Sequence, residues 1–259
     1  MGDLGDLPFD TATISTFLLV LCRTSAWAIT APLVGARVMS KVARLGLGIG
    51  LAGLVTPMVN GHQPVPQDLP GYAGAVVAQV LIGLVLGFLT GVLLSSIEMA
   101  GSLADVASGF SFGSQLDPVN NSQSAVFARM LNMTGLALLA ATDGLSTIVA
   151  GFVRTFFAMP LSSSPGLNLA GAAGIGHLLS STMVAAIEIA APVLGALFVT
   201  DAGLGLVARI VPQSNILAVA FSIKALVTFG AFGTMLILLP AQHESLIGPS
   251  EKAMTLVFR

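Results

Sequence analysis

The stretch LPGYAGAVVAQVLIGLVLGFLTGVLLSSI, Leu69 to Ile97, contains no charged residue. A helix that crosses a bilayer needs about 20 mostly apolar residues, and this run exceeds that length. The rest of the chain has the same character. Of its 259 residues 55% are hydrophobic and 8% are charged, and the mean hydropathy is +0.94. A soluble domain carries about 25% charged residues, so this chain has too little charge to cover a water-facing surface. The sequence predicts an integral membrane protein built as one membrane domain of several helices. A net charge of -2 leaves no basic face for nucleic acid. The single cysteine, Cys22, excludes an internal disulfide and a cysteine-based metal site, and reads as a small buried hydrophobe.

Outward from that run the other helices follow. A first apolar run covers Thr13 to Ala31 and is interrupted by Arg23. A turn at Pro32 to Gly35 and a basic cluster, Arg37, Lys41 and Arg44, lead into a second run ending near Val59. The segment Asn60 to Gly71, with three prolines and two glycines, reads as an inter-helix loop. The central run continues as helix through EMAGSLADVA and gives way to a polar loop at about 109–123. A fourth helical region begins near Ser124 and reaches Met159, broken at Asp143-Gly144. A fifth spans Ala172 to Ile210 with Pro192 inside it, Pro212 to Asn215 turn the chain, and the last runs from Ile216 to Leu239, ended by Pro240. No period-two strand pattern and no 20–50-residue repeat appears. The expected fold is all-α: a polytopic membrane protein of long kinked helices and helical hairpins. Residues 1–240 would form a single membrane domain and 241–259 a short tail. The basic cluster would be cytoplasmic by the positive-inside rule, with the acidic N-terminus outside, and no cleaved signal peptide is expected.

Ionisable residues fall inside the apolar segments: Arg23, Glu98, Asp105, Arg129, Asp143, Arg154, Glu188, Asp201, Arg209 and Lys224. Each is costly in hydrocarbon, by about 2.5–3.5 kcal/mol on insertion scales, so each must meet protein or water. Five are acidic and five basic, which suits mutual pairing between helices better than a proton path of clustered carboxylates or histidines. Gly83, Gly87 and Gly91 form a G-x-x-x-G-x-x-x-G row that Ser95 continues, and Gly46 and Gly50 repeat the spacing. Small residues at this spacing share one helix face and admit another helix backbone closely. Packing within the chain and docking of another subunit both fit that row.

The polar loop reads GFSFGSQLDPVNNSQ from Gly109. Its first five residues match G-x-S-x-G, the nucleophile elbow. That device needs a strand before the serine, an oxyanion hole and a histidine base. The segment before Gly109 reads as helix, and the three histidines, His62, His177 and His243, lie elsewhere. Ser111 is therefore not read as a nucleophile, and no enzyme activity is expected. Glycine hinges at Gly109 and Gly113, bulky Phe110 and Phe112, and the polar return of Gln115, Asp117 and Pro118 suit a closure across an aqueous conduit. Irregular backbone at membrane depth persists only inside protein or beside water, and apolar constrictions gate by excluding water. Met130 and Met133, within two helix turns, suit a flexible gasket or core filling.

These residues together resemble the FliR proteins of the bacterial flagellar type III export gate and the related SctT proteins of injectisomes. The resemblance rests on APLVG at Ala31 to Gly35 after an arginine-bearing helix, and on EMAG at Glu98 to Gly101. It extends through QLDP ending at Pro118, TDG at Thr142 to Gly144 and Ala191-Pro192. Its most specific stretch is DAGLGLVARIVPQSNI, Asp201 to Ile216, with Lys224 beyond. It implies a core export-gate subunit in the bacterial inner membrane at the flagellar basal body, with part of the assembly above the membrane plane. FliP and FliQ would be its gate partners, FlhB and FlhA belong to the same apparatus, and unfolded flagellar subunits would be the cargo. It implies that the loop at 109–123 plugs the channel with Phe110 and Phe112 at its tip, and no cofactor or metal is implied. An injectisome gate subunit is the neighbouring reading. A small-solute transporter fits less well, since no paired half-repeats with matching broken helices appear.

Overall fold

The computed structural model describes residues 11–31, 40–111, 125–162, 169–210 and 216–256. Among these residues there are seven helices and no strand. They are α1 (Thr11–Thr30), α2 (Lys41–Val59), α3 (Leu69–Ser108), α4 (Val126–Ala141), α5 (Gly144–Ala158), α6 (Leu169–Ile210) and α7 (Ile216–Leu256). Five are long and apolar enough to cross a membrane, and the bent pair α4–α5 makes a sixth if counted as one broken span. The chain is an all-α polytopic membrane protein. The turns expected at Pro32 to Gly35 and Pro212 to Asn215, and Arg37 of the basic cluster, lie outside the described residues.

Long apolar runs form helices because a helix satisfies its backbone N–H and C=O groups within the segment. Hydroxyls inside apolar turns bond back to the carbonyl four residues earlier, as in Thr16 to Ala12, Thr56 to Ala52, Thr90 to Leu86 and Thr228 to Lys224. Each such bond satisfies a hydroxyl without water, which hydrocarbon does not offer. Ser40 starts α2 by accepting from the Ala43 N–H at 3.2 Å. The α4–α5 break falls at Thr142-Asp143, where Asp143 takes the left-handed φ of 53°, a conformation that aspartate tolerates better than most residues.

One expectation is corrected. Pro240 does not end the last helix, which runs unbroken to Leu256. A proline within a helix forfeits one N–H···O bond and crowds the preceding turn. Here the helical chain on both sides carries it, as α2 carries Pro57 and α6 carries Pro192.

The chain divides into two compact units. The first contains residues 1–92, 145–178 and 249–259. Its core gathers Leu19, Trp27, Ile82, Leu86, Phe152 and Phe156, all essentially without exposure. Trp27 stacks on Phe152 with centroids 4.5 Å apart and donates its indole N–H to Thr90 Oγ1 at 3.3 Å. Here α1 lies tight against α3: a Cβ on Gly83 would sit 2.5 Å from the Arg23 carbonyl oxygen, and one on Gly87 would overlap Thr30 Oγ1. On its other side α1 meets α2, where Thr24 Oγ1 donates to the Gly48 carbonyl at 3.0 Å.

The second unit contains residues 93–144 and 179–248. Its core joins Ile97, Ala100 and Ala104 of α3 with Phe127 and Leu131 of α4, Ile189, Val193 and Leu197 of α6, and Phe232, Met235 and Leu239 of α7. Close approach again depends on glycine. A Cβ on Gly101 would overlap the Ala128 backbone, and one on Gly135 would lie 2.8 Å from Ile97 Cδ1.

Candidate functional site

The polar loop leaves α3 at Gly109, whose φ of 89° is left-handed backbone that glycine adopts without a Cβ clash. That turn sends Phe110 back into the second unit. Its ring lies 5.6 Å from Phe127, 5.7 Å from Phe221 and 6.2 Å from Phe229, between centroids. Edge-on and tilted arrangements at these distances are the favourable ones for aromatic rings. Phe110 is thus packed at the root of the loop. The other loop positions singled out in the sequence, Phe112, Gly113, Gln115, Asp117 and Pro118, lie outside the described residues.

Both ends of the loop meet Asp105, which is 2% exposed. Its carboxylate accepts from the Phe127 N–H at 3.1 Å and the Ala128 N–H at 2.9 Å. These are orphan donors of the first turn of α4, and Ala125 before them offers no side-chain cap. Its carbonyl accepts from the Ser111 N–H at 3.3 Å and the Ser108 hydroxyl at 3.1 Å. Ser111 follows a helix rather than a strand, since α3 extends to Ser108, so the elbow geometry is not formed. Met130 and Met133 stand exposed on one face of α4.

The charges inside the apolar helices are satisfied in different ways. Lys224 Nζ lies 2.7 Å from Asp201 Oδ1, a half-exposed pair between α7 and α6. Glu98 Oε2 accepts from Asn132 Nδ2 at 3.1 Å. Glu188 and Arg209 are exposed on α6, and Asp143 sits at the α4–α5 break. Arg23 differs from the mutual pairing expected of it. It is fully buried, and its partners are neutral: Gln79 Oε1 at 2.6 Å, the carbonyl oxygens of Thr155 at 3.2 Å and Met159 at 3.0 Å, and the Phe156 ring, 4.3 Å from the guanidinium carbon. Those carbonyls belong to the last turn of α5 and its exit, where the helix dipole favours a cation; the Thr155 carbonyl also accepts from the Met159 N–H at 2.9 Å. Two glutamines complete the cap. Gln79 donates to the Leu161 carbonyl at 2.9 Å, while Gln63 donates to the Phe156 carbonyl at 2.7 Å and accepts from the Leu161 N–H at 2.8 Å.

Of the glycine row, Gly83 and Gly87 are occupied by α1 of the same chain, whereas Gly46 and Gly50 of α2 face open space. Gly91 and Ser95 are partly exposed. Sequence reading did not single out Gln63, Gln79, Phe127, Phe221 or Phe229. One signal was present: Gln79 is the lone amide in the uncharged run Leu69 to Ile97, and a buried amide requires a partner.

The family described as bacterial export proteins, family 1, matches residues 14–249. The flagellar biosynthetic protein FliR of Caulobacter vibrioides is 31% identical over 203 residues, 78% of this chain and 80% of its own length. FliR of Bacillus subtilis is 28% identical over 82% of this chain and 83% of its own length. The Yop proteins translocation protein T of Yersinia pestis is 24% identical over 93% of this chain and 91% of its own length. With that match running through both compact units and five of the seven helices entire, the chain belongs to family 1 of the bacterial export proteins, the family of FliR.

Proposed function

We propose that this chain is a core subunit of a bacterial type III protein export gate, of the flagellar kind. The observation that carries the reading is the family match over residues 14–249, joined to FliR relatives that cover about four fifths of the chain. In this reading the subunit sits in the inner membrane at the flagellar basal body, assembles with FliP and FliQ beside FlhB and FlhA, and passes unfolded flagellar subunits. The exposed apolar side chains of α6 and α7, Phe198, Val199, Leu226 and Ile237 among them, support burial against lipid or neighbouring subunits, since a soluble monomer rarely exposes such area. The loop at 109–123 is the channel plug. Phe110 anchors its root, Phe112 is its second bulky stopper in this reading, and the exposed Met130 and Met133 of α4 are the gasket. Residues 1–240 act as a single export-gate domain in this reading.

An injectisome gate subunit is the second reading. The Yersinia translocation protein favours it by coverage, at 93% of the chain, but its identity is 24% against 31% for the Caulobacter FliR.

The test is co-purification of the tagged chain in mild detergent, with identification of the associated chains, followed by ion-flux measurement on the complex in vesicles. The expected result is a hetero-oligomer that is sealed, and that leaks ions when Gly109 to Gly113 are deleted. A chain that purifies alone would overturn the gate reading. A deleted complex that stays sealed and exports normally would overturn the plug.

A further inference from the structure

A helix start is most simply capped by a serine, threonine, aspartate or asparagine at its own N-cap position. At α4 that position is Ala125, which supplies no such bond. The cap comes instead from Asp105 on α3, 22 and 23 residues earlier than the two N–H groups it receives. A carboxylate that is 2% exposed in an apolar span is an expensive way to cap a helix. What it adds over a local cap is a connection between chain segments. The Asp105 carboxylate holds the segment that leaves the loop, and its carbonyl holds the Ser111 N–H on the segment that enters it. Two neighbours reinforce the junction. Gly101, one turn before Asp105, brings α3 against the Ala128 backbone, and the Phe110 ring packs on Phe127.

We propose that Asp105 is the positioning residue of the α3–α4 connection: a clasp that holds the two ends of the loop together and thereby keeps the conduit sealed. It touches no cargo and acts only through the backbone it binds. The sealing half of this inference rests on the plug reading above, and the clasping half does not.

The experiment uses the purified export complex carrying the full chain, with Cys22→Ser removing the native thiol. Spin labels go on Val106→Cys and Val126→Cys, both exposed positions flanking the junction, and pulsed electron spin resonance reads the distance between them. Ion flux is read on the same complexes in vesicles. Asp105→Ala is expected to broaden the distance distribution and to raise ion flux toward that of the Gly109–Gly113 deletion. Asp105→Asn, which keeps one acceptor oxygen and puts an amide against the second N–H, is expected to fall between. It is also the variant to read if the alanine form does not assemble. An unchanged distance in both variants would overturn the clasp. A broadened distance in a complex that stays sealed, while the deletion leaks, would overturn the sealing role and leave the plug standing. If the deletion does not leak either, the plug reading and the sealing role both fail, and the distance alone then decides whether Asp105 is a clasp.

Discussion

Arg23 has no exposed surface, and its hydrogen bonds go to an amide and two backbone carbonyls rather than to a carboxylate. A buried charge is tolerated when each of its donors is matched, and a fork of five N–H groups reaches several acceptors at once. Arg23→Met would leave Gln79 Oε1 and the Met159 carbonyl without their donor, at about 1–3 kcal/mol for each orphaned group, while the Thr155 carbonyl would keep the Met159 N–H. The expected outcome is a lower thermal unfolding midpoint in detergent, with Arg23→Lys recovering only part of the loss because one ammonium does not span the three acceptors. Lys224 makes the contrast. Its partner Asp201 is 51% exposed, and solvent-screened pairs contribute about 0–1 kcal/mol. Lys224→Met should therefore move the midpoint far less than Arg23→Met, and an equal shift would contradict this ranking.

At the scale of elements, the same residue type serves two different purposes. Gly87 lies where Thr30 of α1 fills the space a Cβ would take, and Gly83 lies against the Arg23 carbonyl. Gly87→Val should force α1 and α3 apart, break the Trp27 to Thr90 bond they share, and lower the yield of folded protein. Gly50 has nothing within 4 Å of the corresponding position. There alanine should preserve the fold and stabilise α2 by about 0.5–1 kcal/mol, since glycine loses more backbone freedom in a helix. Size-exclusion yield and thermal unfolding of the two variants check this directly, and failure of Gly50→Ala to fold would show that this face packs within the chain.

For the molecule as a whole, the outer surface is as informative as the core. Leu226 and Ile237 on α7 are 76% and 78% exposed, yet both lie in a segment apolar enough to span a bilayer. Such residues are placed for lipid or for another subunit, and neither environment accepts a charge cheaply; one mid-span costs about 2.5–3.5 kcal/mol on insertion scales. Leu226→Asp should leave the second unit's packed core intact but reduce recovery from the membrane fraction or in the assembled complex. Quantifying the variant in both fractions tests this, and normal recovery in each would mean that the position faces water.

The sequence by itself determined the helical class, the apolar spans and nearly every helix boundary, because hydrocarbon demands long uncharged runs and penalises anything else. It also supplied the family resemblance and the polar loop between α3 and α4. It marked Arg23 and Asp105 as costly, but composition records only that a buried charge needs a partner. The partners here are backbone groups and glutamines: Gln79 lies 56 residues from Arg23 and the Met159 carbonyl 136 residues from it. Backbone groups occur at every position and leave no mark in a pattern of side chains. Only the tertiary structure decided which helix end each charge would cap, and which glycines face a neighbour of the same chain rather than open space.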